Sequence, residues 1–260
     1  MTSRYLTLPT PRFFAHRGAS ATCPENTLPA FLAAVQAEVP YLELDVWSTA
    51  DGQVVVHHDA SLLRLCGLDR RVADLTLAQV QALDAGYGFS PDGGHSFPFR
   101  NRGVKIPTLA EVLTAFPQAR LNVEVKDPSP DAAERTVAAV RQTGREKDVL
   151  LAAEDQRIMD RLRSACGDIP TGLSFAEAAA FFAWFDNGFQ GHYRPPGVAL
   201  QIPESYGGRQ LITPETVAAA HTVGLEVHVW TVNRLADMQR LLGLGVDGIM
   251  SDHPELFPKI

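Results

Sequence analysis

Between Tyr41 and Asp59 the chain reads YLELDVWSTADGQVVVHHD, which gathers Glu43, Asp45, His57, His58 and Asp59 into one short stretch. Tyr41 to Trp47 has the character of a strand. Side chains alternate along a strand, so Glu43 and Asp45 point to the same face. On a buried parallel strand these carboxylates repel each other and lose their water. A hard cation or a basic side chain must then compensate them. Asp51-Gly52 turns the chain, and Val54, Val55 and Val56 lead into the histidine pair. Acids at i and i+2 followed by histidines suggest metal-assisted acid–base chemistry. The plainer alternative is a surface strand with a solvated acidic face. Leu42, Leu44 and Val46 oppose it, because both faces of the segment then need a role.

The elements that must position these groups alternate along the chain. Short apolar runs predict strands at 12–15, 41–47, 121–125, 149–152, 172–175, 198–202, 225–232 and 246–250. Amphipathic stretches between them predict helices at 26–37, 108–116, 131–143, 156–165, 177–185, 214–223 and 235–242, with a short terminal helix after Pro254. Pro107 marks one helix start, and Ser129 or Asp131 is the expected cap of another. Alternating β and α units in 260 residues predict an α/β fold, a (β/α)8 TIM barrel forming a single domain over 1–260. A doubly wound sheet is the second choice, since no GxGxxG follows the first strand. The stretch 60–105 breaks the rhythm with GYGFSPDGGHSFPFRNRG. It is expected as a small insertion after the second strand, beside the barrel mouth.

Active sites of such barrels lie at the carboxyl ends of the strands. There the sequence places His16 and Arg17 after the first strand, Glu43 and Asp45 on the second, and His58 after the hairpin that follows. Glu124 and Lys126 share a face of the third strand, Trp230 and Asn233 end the seventh, and Asp252 follows the eighth. Glu43, Asp45 and Glu124 are hard oxygen ligands suited to a divalent metal, Mg2+ or Ca2+. Arg17 and Lys126 supply positive charge for an anion, most naturally a phosphate. His16 and His58 titrate near neutral pH and can take and give a proton. Together these groups point to phosphoester cleavage. No GxSxG elbow or P-loop competes with that chemistry.

Other residues read more plainly. Asn26 is expected to cap the following helix, with a polar role near His16 as the alternative; Asp252 is expected to cap the terminal helix, and His228 to be a satisfied interior histidine. Trp230 is expected to wall a ligand pocket. In the segment 174–189, Phe181, Phe182 and Phe185 make a core stripe; Trp184 and Phe189 are expected to be core packing too, with a leaving-group wall as the alternative. Cys23, Cys66 and Cys166 are few, odd in number and widely spaced, and read as free thiols of a reducing compartment. With no leader-like start and no apolar run of spanning length, the expectation is a soluble, cytoplasmic protein with no stable membrane insertion. A formal charge of −7 makes nucleic acid a poor partner, despite His95, Arg100 and Arg102 among aromatics.

The ordered set FFAHRGAS at 13–20, PENT at 24–27, LELDV at 42–46, HHD at 57–59, IPTLAEVL at 106–113, NVEVK at 122–126, VHVWTVN at 227–233 and VDGIMSDHPE at 246–255 resembles the glycerophosphodiester phosphodiesterase family over nearly the whole length. The resemblance implies that His58, not His57, is the partner of His16 in catalysis. It implies that Glu43, Asp45 and Glu124 hold the metal and that Arg17 and Lys126 bind phosphate. It further implies a small-molecule substrate whose glycerol 2-hydroxyl acts as nucleophile, and a cap lining the glycerol end. The segment 175–208 matches no family stretch. The alternatives are a lysophospholipase D-type phosphodiesterase on the same scaffold, or a non-catalytic binding protein for glycerophosphodiesters. The sequence specifies neither the leaving alcohol nor an oligomeric state.

Overall fold

In the computed structural model, which describes residues 4–260, the strand β2 (Tyr41–Ser48) is buried at every position. Its neighbours explain why. The strands β1 (Arg12–His16), β4 (Arg120–Val125), β5 (Val149–Ala152), β6 (Ala199–Pro203), β9 (Glu226–Trp230) and β10 (Gly248–Ser251) run parallel to it in the order β5-β4-β2-β1-β10-β9-β6. The short β3 (Val54–Val56) returns antiparallel to β2, and β7 (Ser205–Tyr206) and β8 (Arg209–Gln210) form a separate hairpin.

The gap between β5 and β6 is closed by single residues. Thr171 bridges to Leu151 and Gly172 to Ala199, both parallel, which completes the ring of eight staves. The strand expected at 172–175 shrinks to these bridges for a local reason. Ser174 and Glu177 form a reciprocal capping box, so the chain is already helical from Phe175.

The helices are α1 (Leu28–Gln36), α2 (Leu63–Cys66), α3 (Leu77–Gln81), α4 (Leu109–Ala115), α5 (Ala132–Gln142), α6 (Gln156–Cys166), α7 (Phe175–Asp186), α8 (Pro214–Thr222) and α9 (Leu235–Gly243). Capping boxes open α3, α4, α7 and α8, each contributing about 1 kcal/mol. At α5, Asp131 occupies the cap position but makes no capping bond, and pairs with Arg135 instead. The terminal helix is a 3-10 segment, Pro254–Lys259.

Alternation along the strands builds two layers. Leu42, Leu44, Val46, Leu121, Val123 and Val125 point outward and pack beneath the helices. Phe14, Tyr41, Leu150, Ala199 and Met250 fill the barrel interior, together with Tyr5 from the N-terminal segment. A polar ladder also runs inside. Asn122 accepts from Gln201, Gln201 meets His228 Nδ1 at 3.2 Å, and His228 Nε2 lies 3.0 Å from Glu226. His228 is therefore the satisfied interior histidine expected of it.

The insertion carries its own small core. Leu62, Leu65, Val72, Leu75, Val80 and Ile106 pack on Trp47 and Val55 of the β2–β3 ribbon. Its suspected nucleic-acid cluster has a structural use, since Arg100 lies 3.7 Å over the ring of Phe97 and 4.2 Å over that of Tyr87.

Candidate active site

At the end of β1 the backbone turns sharply. Arg17 takes a left-handed conformation with φ 58°, and Gly18 follows at φ 83°. Gly18 is forced by packing as well as by φ, because a β-carbon there would sit 2.6 Å from the backbone of Ala30. The turn aims the Arg17 N–H at β2, where it donates to the Glu43 carbonyl at 3.0 Å and to Glu43 Oε2 at 3.1 Å.

The register then does the gathering. His16 pairs with Glu43 across β1–β2, and Asp45 pairs with Glu124 across β2–β4. One ligand oxygen from each of Glu43, Asp45 and Glu124 lies within 4.8 Å of the others. Burial pushes the Glu43 carboxyl up to about 8, and the neighbouring Asp45 charge adds to the rise. Burial also raises Glu124, although Lys126 opposes it. Carboxyls held above their ordinary range are groups short of positive charge. A donor set made only of oxygens therefore fits a hard divalent cation.

Cations flank the acids. Lys126 Nζ lies 2.6 Å from Glu124 and 3.6 Å from Asp45, and Arg17 Nε lies 3.3 Å from Asp45.

Each histidine has a carboxylate behind it. His16 Nδ1 lies 2.7 Å from Asp252, which leaves Nε2 on the site side, 3.9 Å from Glu43. Burial alone would lower the His16 pKa, but Asp252 and Glu43 outweigh it and raise it. His58 Nδ1 lies 2.7 Å from Asp59, and Trp47 Nε1 donates to the His58 carbonyl at 2.9 Å. His57 is buried, with Nε2 3.2 Å from the Ser61 carbonyl and outside the cavity, so His58 is the one of the pair that lines it.

Several supporting contacts go beyond the helix-cap expectations. Asn26 does not cap α1. Its side-chain amide donates to Asp45 at 2.9 Å, and it too is held at positive φ. Asp252 does not cap the terminal helix; His16, Ser20 and Asn233 hold its carboxylate, and their hydrogen bonds bring it down to about 2 against the effect of burial. Arg64 of the insertion donates to both Glu25 oxygens at 2.7 Å and to Asp59. Glu25 in turn accepts from Arg17 at 3.1 Å. The signal lay in the acids and amide of PENT and SDHP, whose partners are distant in sequence.

These groups open on a cavity of about 430 Å³. His16, Arg17, Glu43, Asp45, His58, Glu124, Lys126 and Trp230 all line it, which brings every sequence-predicted site residue to one place. Among the described residues, none from 60–105 does, so the insertion braces the site through Arg64 rather than walling it. Trp184 and Phe189 do not line it either. Trp184 stacks on Tyr193 with centroids 5.3 Å apart, and Phe189 packs edge-on against Trp184.

The cavity can hold a small anion between cations and a metal-ready carboxylate group, with proton carriers at hand. That defines the class of metal-dependent barrel phosphoesterases. A profile of the glycerophosphoryl diester phosphodiesterase family matches residues 16–256, and the chain belongs to that family. It is 32% identical over 249 residues to a glycerophosphodiester phosphodiesterase of Caldanaerobacter subterraneus subsp. tengcongensis, covering 93% of each chain. It is 30% identical over 260 residues to one of Bacillus subtilis, covering 95% of this chain and 85% of that one. The structure of an Oleispira antarctica phosphodiesterase in complex with the product sn-glycerol-3-phosphate is similar with a TM-score of 0.76 at 25% identity, covering 96% of both chains. Among the described residues, no helix is long and apolar enough to cross a membrane.

Proposed function

We propose that the protein hydrolyses glycerophosphodiesters to glycerol 3-phosphate and an alcohol, with His16 and His58 as its acid–base pair. The observation that carries this reading is the pairing of two carboxylate-backed histidines with the oxygen cluster in one cavity. Binding alone needs no such pair, which argues against a non-catalytic binding protein.

Glu43, Asp45 and Glu124 would hold the metal, Mg2+ or Ca2+ by the hardness of its ligands. When bound, it supplies Lewis-acid neutralisation of phosphate charge. Arg17 and Lys126 grip the phosphate oxygens and keep them oriented. One histidine takes the proton of the glycerol 2-hydroxyl as that oxygen attacks phosphorus. The other gives a proton to the departing alcohol oxygen. The resulting cyclic phosphate is opened by water, with the histidines exchanging roles. Asp252 and Asp59 hold the two rings so that Nε2 of each serves the substrate. Free Cys23, Cys66 and Cys166 suit a reducing, cytoplasmic setting.

The test is glycerol 3-phosphate release from glycerophosphocholine and glycerophosphoethanolamine, followed by phosphorus NMR with and without chelator. Release that stops on chelation and returns with Mg2+, Mn2+ or Ca2+ is expected. Tight binding of both esters in the presence of metal, with no turnover, would return the protein to the binding class.

A further inference from the structure

Arg64 sits on the insertion, in the short helix α2, and does not line the cavity. Its backbone is pinned from two sides. Leu65 is buried in the insertion core, and the left-handed Gly67 closes α2. Gly88 packs against the Arg64 carbonyl so closely that a β-carbon there would lie 2.0 Å from the oxygen. The side chain, by contrast, is half exposed. A half-exposed arginine with a single ion-pair partner ordinarily contributes little. Arg64 has two partners, both on loops of the barrel rim. Its Nε donates to Asp59 Oδ2 at 2.6 Å, and Nη1 and Nη2 donate to the two Glu25 oxygens at 2.7 Å each.

Each of these carboxylates also holds a residue of the site. Asp59 Oδ1 lies 2.7 Å from His58 Nδ1, and Glu25 Oε1 accepts from Arg17 Nη1 at 3.1 Å. Arg17 Nε in turn lies 3.3 Å from Asp45. An unbroken line of contacts thus runs through His58, Asp59, Arg64, Glu25, Arg17 and Asp45, and Arg64 joins its two halves. Burial would raise both carboxyls, but their hydrogen bonds, with Arg64 foremost, hold Asp59 down at about 2 and Glu25 below its ordinary value. Without the guanidinium each acid keeps one partner and gains freedom to turn. An anchor that merely fastened the insertion to the barrel could use any surface pair. Arg64 uses the two acids that stand behind His58 and Arg17.

We propose that Arg64 is a positioning residue for two groups at once: through Asp59 it fixes the His58 ring, and through Glu25 it fixes the Arg17 guanidinium. The inference rests on the phosphodiesterase reading above. The insertion thereby sets the geometry of one proton carrier and one phosphate-binding cation. A lysine cannot replace Arg64, because one ammonium on a flexible stem lacks the planar fork that meets two carboxylates together.

The experiment measures kcat and KM of the metal-supplied protein for glycerophosphocholine. Arg64→Ala should lower kcat about tenfold or more and raise KM about tenfold. The two effects should separate. Asp59→Asn should lower kcat with little change in KM, and Glu25→Gln should raise KM with little change in kcat. On the Asp59→Asn background, Arg64→Ala should raise KM without lowering kcat further. On the Glu25→Gln background it should lower kcat without raising KM further. Arg64→Lys keeps the charge and the stem, and should behave as Arg64→Ala does. Unaltered kcat and KM in either Arg64 variant, or losses that add independently on both backgrounds, overturn the proposal and leave the phosphodiesterase reading standing. Failure of the unaltered protein to turn over the ester overturns that reading instead. Nitrogen NMR of the His58 ring still decides the proposal in that case, and also if Arg64→Ala does not fold. The unaltered protein should show the neutral ring protonated at Nδ1, and Arg64→Lys a mixture of tautomers. An unchanged tautomer in Arg64→Lys overturns the proposal.

Discussion

His16 and Asp252 are 236 residues apart in sequence, yet His16 Nδ1 and Asp252 Oδ1 lie 2.7 Å apart where β1 and β10 run side by side. This contact fixes which ring nitrogen faces the site. Asp252→Asn should cut kcat about a hundredfold with little change in KM, because the amide no longer selects the tautomer or stabilises the charged ring. His16→Ala should cost at least about as much. An Asp252→Asn enzyme with near wild-type kcat would show that His16 needs no orienting partner.

Metal binding should be readable without any turnover. Burial and Asp45 hold the Glu43 carboxyl up at about 8 in the metal-free site. A raised carboxyl binds more protons folded than unfolded. The metal-free protein should therefore lose stability as pH rises from the ordinary glutamate range through about 8, the reverse of a salt-bridged acid. Mg2+ or Ca2+ should displace that proton and raise Tm, with affinity growing as pH increases. Glu43→Gln should fold, lack the metal-induced rise in Tm, and be inactive. A Tm unmoved by either metal across this range would remove the cluster as a cation site.

The nucleophile is the substrate's own in this reading. A hydroxyl already attached to the substrate is pre-positioned, whereas water must be oriented by the protein. A 2-deoxy or 2-O-methyl glycerophosphodiester should bind but turn over very slowly, and a transient 1,2-cyclic glycerol phosphate should appear by phosphorus NMR. Normal hydrolysis of the 2-deoxy ester would favour direct attack by water and leave the metal and phosphate assignments in place.

Strand periodicity made most of this site legible. Residues at i and i+2 share a face on β2, and so do Glu124 on β4 and Lys126 just past its end, so Glu43 with Asp45 and Glu124 with Lys126 could be grouped from sequence, and the strand register brings the two pairs together. The choice between His57 and His58 was not periodic, since the chain leaves β3 just before them. The roles of Asn26, Arg64 and Asp252 were hidden for a different reason. Each acts through a contact set by tertiary closure, and each has an ordinary local use as a cap or a surface charge. In α7 the packing reading of Trp184 and Phe189 agrees with the structure, since Trp184 packs on Tyr193 and Phe189 against Trp184; what the sequence did not flag is that two alanines of modest character, Ala178 and Ala179, reach the cavity. The β7–β8 hairpin left no period-2 signal, being only two residues on each side.

The opposite end of the barrel is closed by an ion pair. Arg12 is almost fully buried and donates twice to Glu226, at 2.6 Å each, and also to Tyr41 and to the Leu6 and Leu8 carbonyls. Burial would raise the Glu226 carboxyl, but its hydrogen bonds to Arg12 and His228 win and hold it at about 2, below its ordinary 4.5. The stabilisation is thus complete above the ordinary value and is lost as pH falls through about 2. Glu226→Gln should lower stability at neutral pH by about 3 kcal/mol, because it leaves the Arg12 charge buried without its partner. The difference from wild type should shrink as the solution is acidified towards about pH 2, where the wild-type carboxyl is neutral as well. Urea midpoints at neutral and acid pH measure it. A gap that stays constant across that range would mean that packing, not the ion pair, seals this end of the barrel.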